Sequence, residues 1–261
     1  MQAIYDCGGE LALALTLRDD QARAKSGRIY LDEFCASRGV PLVKIGHVND
    51  EAALTAVRDA RVDWLFIVGW SQIAGPAMLQ TPSHGVLGMH PTLLPQGRGR
   101  AAIPWAILRG LPVTGVTLFK LDAGVDTGPI LAQRRVTIED RETATTLYAK
   151  MERAHGELLS DSWSAIVADR VSLQPQDQSR ATLWPGRKPE DGRLTAEMSV
   201  AEADRLIRAV THPYPGAFID EAGLRLRIWA AGRPMEDAGG RRVTFRDGWL
   251  DATQWDEEQM V

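Results

Sequence analysis

Short apolar runs alternate with helix-periodic stretches along the first two thirds of the chain. ELALALTL, PLVKI, VDWLFIVGW, GVLGMH, GVTLFKL and PILAQRRVTI are rich in β-branched and aromatic residues and read as strands. Between them, IYLDEFCASRG carries apolar residues at helical spacing, NDEAALTAVRDA reads as a helix capped by Asn49, and AAIPWAILRG as a helix closing at Gly110. Residues 143–167 have the length and spacing of a long amphipathic helix. This alternation predicts an α/β fold: a Rossmann-like, mostly parallel sheet flanked by helices, with VDWLFIVGW as a buried strand.

The two ends change the picture. AIYDCGGE reads as the end of a helix closed by Gly8 and Gly9, so the strand and turn that normally open such a domain are missing in front of it. Either the start codon has been placed too far downstream or the sheet is rearranged; the cost of unpaired buried backbone groups favours the first. Residues 18–26 read as a polar loop. Residues 174–188, rich in Pro, Gln and Arg, read as a linker. After it come a helix, VAEADRLIRAV, the turn HPYPGA and the alternating segments AFID, LRLRIWAA, RRVTF and GWL, which predict a small antiparallel sheet or barrel. The expected division is a large domain over residues 1–173 and a small β-rich subdomain over 181–261, with the acidic tail DATQWDEEQMV as a solvated end.

Composition narrows the class. With 44% hydrophobic and 25% charged residues over 261 positions, the chain has a globular balance and the length for a sizeable core. Its formal net charge of -4 argues against a nucleic-acid binder, although a basic patch would override that balance. Cys7 and Cys35 fit no metal spacing and no disulfide framework; they read as reduced thiols, and no metal is expected. The run LALALTL follows Asp6 and Glu10 without any Lys or Arg, and no stretch approaches the ~18 apolar residues of a membrane span, so a cytoplasmic location is expected.

Candidate chemistry gathers in GMHPTLLPQGRGRAAIPWAILRGLPVTGVTLFKLDAGVDTG. Ligands of open α/β sheets sit outside the carboxyl ends of strands; His90 ends GVLGMH and Asp126 follows GVTLFKL, so two adjacent strand ends would bring them together. A His oriented by a carboxylate can take and give protons near neutral pH. By residue type alone, a loop His and a DTG turn serve equally well as structural features. Residues 70–79, WSQIAGPAML, lie on the same rim and read as a pocket wall or as loop-to-helix packing. Gly97 and Gly99 would let the loop that carries Arg98 and Arg100 close over a bound molecule.

In order and spacing, His90-Pro91-Thr92-Leu93-Leu94-Pro95, then Arg98-Gly99, Thr114-Gly115-Val116-Thr117 and Asp126-Thr127-Gly128 resemble the 10-formyltetrahydrofolate-dependent formyltransferase family, of the methionyl-tRNA and amino-sugar N-formyltransferase type. The likeness covers residues 62–133. It implies a folate-dependent N-formyltransferase, with 10-formyltetrahydrofolate as the formyl donor and an amine as the acceptor. His90 would stabilise the oxyanion and help to move the amine proton, and Asp126 would hold the imidazole. Trp70, Gln72 and Ile73 would stand near the folate pocket, Asp122, Gly124 and Val125 would meet the pterin ring, and Thr92, Arg98, Arg100 and Arg187 would bind the acceptor.

RKPEDGRL and LIRAVTHPYPGAF resemble the C-terminal part of the amino-sugar members, where Arg187, Lys188, Arg193 and Arg208 would suit a sugar-nucleotide diphosphate. The short, acidic C-terminal part favours a small-molecule amine, an amino sugar or a nucleotide-linked one, over nucleic acid. Methionyl-tRNA formylation is the runner-up and a catalytically impaired folate- or nucleotide-binding protein the third reading; no membrane partner is expected, and a homodimer stays open. One position departs from the family, whose Asn two residues before the His is Gly88 here. An oxyanion donor is worth ~10²–10³ in rate, so a substitute is needed for full activity: Ser71, Thr92, Gln72, or a water in the space that Gly88 leaves.

Overall fold

The computed structural model describes residues 1–22, 27–221, 223–232 and 241–259. Along the chain run α1 (Gln2–Asp6), β1 (Ala14–Leu17), α2 (Asp19–Ala22), α3 (Asp32–Arg38), β2 (Leu42–Ile45), α4 (Glu51–Ala60), β3 (Trp64–Val68), α5 (Pro76–Gln80), β4 (Gly85–His90) and β5 (Arg98–Gly99). They continue with α6 (Ala102–Leu108), β6 (Val113–Lys120), β7 (Ile130–Thr137), α7 (Ala144–Val167), β8 (Leu183–Trp184), α8 (Val200–Val210), β9 (Ala217–Glu221), β10 (Leu224–Gly232), β11 (Arg241–Phe245) and β12 (Gly248–Gln259). The chain forms two compact units. The first comprises Met1–Arg100, Thr114–Val136 and Met151–Trp184, and the second Ala101–Val113, Thr137–Lys150 and Pro185–Val261.

In the first unit β1 pairs parallel with β2, and a second sheet runs in the order β3-β4-β6-β7, parallel between β3 and β4 and antiparallel between β4 and β6. The parallel-rich α/β arrangement expected from the alternation is therefore present. Ala53 and Val57 of α4 and Met78 of α5 pack on Leu15, Val43 and Ile45 of the first pair and on Leu65 and Ile67 of β3. One apolar layer thus covers both sheets, yet among the described residues β1 and β3 share no ladder. The apolar run of β3 predicts a buried strand; it is instead half-buried, with Val68 47% exposed, because among the described residues this strand has a ladder neighbour only on the β4 side.

Two local expectations are also corrected. The polar stretch after β1 contains α2 rather than only loop, while residues 23–26 lie outside the described residues. Asn49 does not cap α4, whose cap position is Asp50. Its side chain donates to the Ile73 carbonyl (3.0 Å) and accepts the Gly75 N–H (2.7 Å), serving the start of α5, where the cap residue Gly75 has no side-chain oxygen of its own.

All six residues of β4 are buried, which seats His90 at the end of a fixed strand. The loop after it is anchored by Thr117 of β6, whose hydroxyl donates to the Thr92 carbonyl (2.7 Å) and accepts from Leu94 N–H (3.0 Å) and Gln133 Nε2 (2.8 Å). Thr117→Val preserves the shape and takes the hydroxyl from the Thr92 carbonyl and Leu94 N–H in the interior, while Gln133 Nε2 keeps the Leu94 carbonyl (2.8 Å). Urea denaturation is expected to register a loss of roughly 2–4 kcal/mol.

The second unit holds the antiparallel sheet β11-β12-β10-β9, as the alternating segments predict. Ser199 and Glu202 form a capping box at the start of α8, which buries Ala203, Leu206, Ile207 and Val210. The acidic tail carries mostly exposed side chains, as a solvated end does, but it is not a free end. Through Gln259 it is the rest of β12, paired to β10, and Glu258 and Glu257 meet Arg227 and Arg241 on neighbouring strands, partners that no reading along one strand displays. Among the described residues no helix is long and apolar enough to cross a membrane.

Candidate functional site

Both ring nitrogens of buried His90 face acceptors. Nε2 lies 2.7 Å from the Gly97 carbonyl oxygen, and because a carbonyl only accepts, Nε2 carries a hydrogen. Nδ1 lies 3.6 Å from Oδ2 of Asp126. The sequence places the two residues on adjacent strand ends, and they do come together, but by another route. β6 runs antiparallel to β4 with Lys120 opposite Leu87, so it ends away from His90, and the loop that follows doubles back to deliver Asp126.

That loop is tightly shaped. Oδ1 of Asp122 accepts from Gly124 N–H (3.0 Å) and from the Thr127 hydroxyl (2.6 Å). A Cβ on Gly124 would stand 2.0 Å from the Thr127 hydroxyl, and one on Gly128 1.8 Å from the Lys120 carbonyl oxygen, so both positions exclude a side chain. Asp126 itself is left-handed (φ 52°), and its Oδ2 also accepts Gly99 N–H at 2.8 Å. Asp122 and Gly124 thus build the turn, while Val125 stands out from it.

The space beside Gly88 does not await a water. A Cβ there would meet Leu121 Cδ1 at 2.3 Å and Phe119 Cε1 at 3.2 Å, so apolar side chains fill the place where a longer residue would project. The candidate substitutes are differently placed. Thr92 is buried and donates to the Gln96 carbonyl (2.8 Å). Gln72 accepts from Val48 N–H (2.8 Å) and Trp70 Nε1 (3.2 Å) and donates to the Gly46 carbonyl (3.1 Å), tying together the loops after β2 and β3. Trp70 packs against the apolar layer, whereas Ser71 and Ile73 are exposed.

Arg98, expected to reach for an acceptor, is 7% exposed and turned inward. Its Nε and Nη2 donate to Oε1 of Gln176 (3.0 and 2.6 Å) and its Nη1 to Oε1 of Gln178 (2.9 Å). It also lines a cavity of about 300 Å³ with Val125, Thr127, Ala181, Thr182 and Leu183. Arg100 is exposed. Arg187 belongs to the second unit, where it lies 5.0 Å from the centre of the Trp105 ring and donates to the Asp191 carbonyl (2.8 Å); burial pulls its pKa down, with the Asp191 charge opposing. In the same unit Arg193 pairs with Asp220 and Arg208 with Asp204, each at 2.8 Å, so carboxylates already hold these two expected phosphate ligands.

Gln176 escaped sequence reasoning altogether. A glutamine inside a Pro/Gln/Arg-rich stretch carries no periodic signal, yet it is buried and reaches the loop of Asp126. The same stretch supplies β8, which pairs parallel with β5, and Thr182, whose hydroxyl accepts Gly97 N–H (2.8 Å).

A second His completes the electrostatics. His155 of α7 donates Nδ1–H to the Met151 carbonyl (2.6 Å); burial lowers its pKa below 6.5, the Met151 contact opposes this, and the charge of His90 adds to the lowering. Between that lowered value and 6.5 the unfolded chain binds a proton that the folded chain does not, so stability falls as pH falls through this window. Denaturation between pH 7 and pH 5 is expected to carry a His155 contribution of up to ~1.4 kcal/mol per pH unit, which His155→Gln removes.

Comparison with known proteins bears on the family and the fold. The family model described as Formyl transferase matches residues 24–162, and that described as Formyl transferase, C-terminal domain, matches 187–253. Among solved structures, methionyl-tRNA formyltransferase from Clostridium thermocellum is 20% identical, with a TM-score of 0.64 over 95% of this chain and 97% of that one. HypX from Aquifex aeolicus in complex with tetrahydrofolic acid is 20% identical, with a TM-score of 0.71 over 95% of this chain but only 44% of HypX. A sugar N-formyltransferase from Shewanella sp. is 18% identical, with a TM-score of 0.64 over 78% and 81% of the two chains. At such identities the structures speak for the fold alone. Matched over more than half of its length by the first family model and beyond it by the second, the chain belongs to the formyl transferase family.

Proposed function

We propose that this protein transfers a formyl group from 10-formyltetrahydrofolate to the amine of a small acceptor, an amino sugar or a nucleotide-linked amino sugar. The observation that carries the reading is the His90–Asp126 pair, Nδ1 to Oδ2 at 3.6 Å, beside a glycine-rich loop. In the transfer, the acceptor nitrogen bonds to the formyl carbon, the bond from that carbon to the folate nitrogen breaks, and a proton passes from the amine to the departing nitrogen. His90, with Asp126 facing its Nδ1 side, is the group that can stabilise the intervening oxyanion and move that proton once its Nε2–H turns from the Gly97 carbonyl to the reacting centre. For the donor, Val68 at the carboxyl end of β3, Ile73 beyond it and Val125 beside Asp126 offer exposed apolar surface of the kind on which a pterin ring lies. Tetrahydrofolic acid is the ligand of the HypX relative.

The acceptor class rests on charge rather than length. The shortness of the C-terminal part does not separate the substrates, because the methionyl-tRNA relative is matched over 97% of its own length. Within the second unit, however, Arg193, Arg225, Arg227, Arg241 and Arg242 pair with carboxylates, so these five charges are offset and lend less to the basic surface that a phosphate backbone requires. One observation favours a second reading, a folate-binding protein of low activity: Leu121 fills the space beside Gly88. Incubation with 10-formyltetrahydrofolate and either a panel of amino sugars and nucleotide-linked amino sugars or charged initiator tRNA distinguishes these. Tetrahydrofolate released only with a sugar amine supports the proposal, release only with tRNA replaces the acceptor, and tight folate binding without any release favours the binder.

A further inference from the structure

We propose that Gln176 is a positioning residue that sets Asp126 beside His90, an assignment that rests on reading those two as the working pair. The amide of Gln176 has one allowed orientation. Its oxygen accepts from Nε and Nη2 of Arg98 at 3.0 and 2.6 Å, and a guanidinium can only donate. Its nitrogen donates to the carbonyls of Asp126 (2.8 Å) and Gly128 (2.7 Å), which can only accept. One NH₂ group thereby holds both carbonyls of the turn in which Asp126 takes a left-handed φ of 52°. With the backbone held so, Oδ2 of Asp126 reaches Gly99 N–H at 2.8 Å and lies 3.6 Å from His90 Nδ1. Arg98 is fixed in its turn by Gln178 (2.9 Å) and by its own N–H on the Thr182 carbonyl (2.9 Å).

Gln176→Glu separates positioning from mere satisfaction of Arg98. The carboxylate is nearly isosteric and accepts from Arg98 more strongly than the amide does, but it has no N–H to give and sets an oxygen against two carbonyl oxygens. If Gln176 only satisfies Arg98, the variant is neutral; if it positions Asp126, the turn is released. The readout is amide hydrogen exchange of the full chain by NMR at three neighbouring residues. Gly99 N–H reports the Asp126 carboxylate, while Arg98 N–H and Arg100 N–H report backbone bonds to Thr182 and Trp184.

In Gln176→Glu, exchange at Gly99 is expected to speed up ~10-fold or more while Arg98 and Arg100 stay within ~2-fold of the wild type. Arg98→Lys, which frees the amide oxygen, is expected to loosen Gly99 with the same selectivity and serves if the first variant does not fold. Unchanged exchange at Gly99, or equal acceleration at all three amides, overturns the assignment. With an active wild type, kcat is expected to fall ~10–100-fold in Gln176→Glu at nearly constant KM for the folate, and an unchanged kcat also overturns it. If the wild type formylates no amine, the proposed function fails, and the exchange pattern still decides the role of Gln176.

Discussion

His90→Ala is expected to lower kcat for formyl transfer by ~10²–10⁴-fold while leaving the dissociation constant of tetrahydrofolate within a few-fold of the wild type. The reason is positional. His90 ends a wholly buried strand, and its ring is held between the Gly97 carbonyl (2.7 Å) and the Asp126 carboxylate (3.6 Å), so alanine removes the proton-moving group without disturbing the strand that carries it. Tetrahydrofolate release under saturating amine measures kcat, and fluorescence titration measures folate affinity. Turnover that survives within a few-fold would remove His90 from the chemistry. His90→Gln restores a hydrogen-bond donor without the ionisation, so it is expected to recover little of the lost rate.

Restoring asparagine beside His90 is expected to harm the protein when done alone. In Gly88→Asn the new Cβ falls 2.3 Å from Cδ1 of the partly buried Leu121, whose side chain must swing aside, and overpacking of this kind costs about 1 kcal/mol. Leu121→Ala opens the space. The double variant Gly88→Asn/Leu121→Ala is therefore expected to regain part of the stability lost by Gly88→Asn, and its kcat is expected to exceed that of Leu121→Ala by one to two orders of magnitude, toward the ~10²–10³ that one oxyanion donor is worth. Urea denaturation and steady-state kinetics of the four proteins complete the cycle. Equal kcat in Leu121→Ala and the double variant would mean that an amide at this position does not face the reacting carbonyl.

The legible parts of this protein were those that depend on period and order. Strand and helix positions followed from apolar spacing, and α8, read as VAEADRLIRAV, has those bounds. The pairing of His90 with Asp126 was also anticipated, though not the path of the chain, because strand direction within a sheet leaves no mark on either residue. What remained hidden was set by partners distant in sequence. The burial of Arg98 depends on two glutamines from a stretch that looks like linker, and the acidic tail is a strand because arginines of β10 and β11 face it. Gly88 announced a missing amide, but only Leu121 reveals that carbon has taken its place.

The stretch joining the two family-matched regions also bears on whether the halves of this protein can be exchanged. Gln174 bridges Ile130, Gln176 grips the Asp126 turn, and Thr182 and Trp184 flank the loop beside His90, all within the first compact unit. A fragment ending at residue 173, where composition shifts, would part from these contacts and leave the guanidinium of Arg98 stranded. The stretch is thus no modular spacer, and a chimera that borrows the N-terminal half of this chain must carry residues 174–184 with it to inherit an intact site.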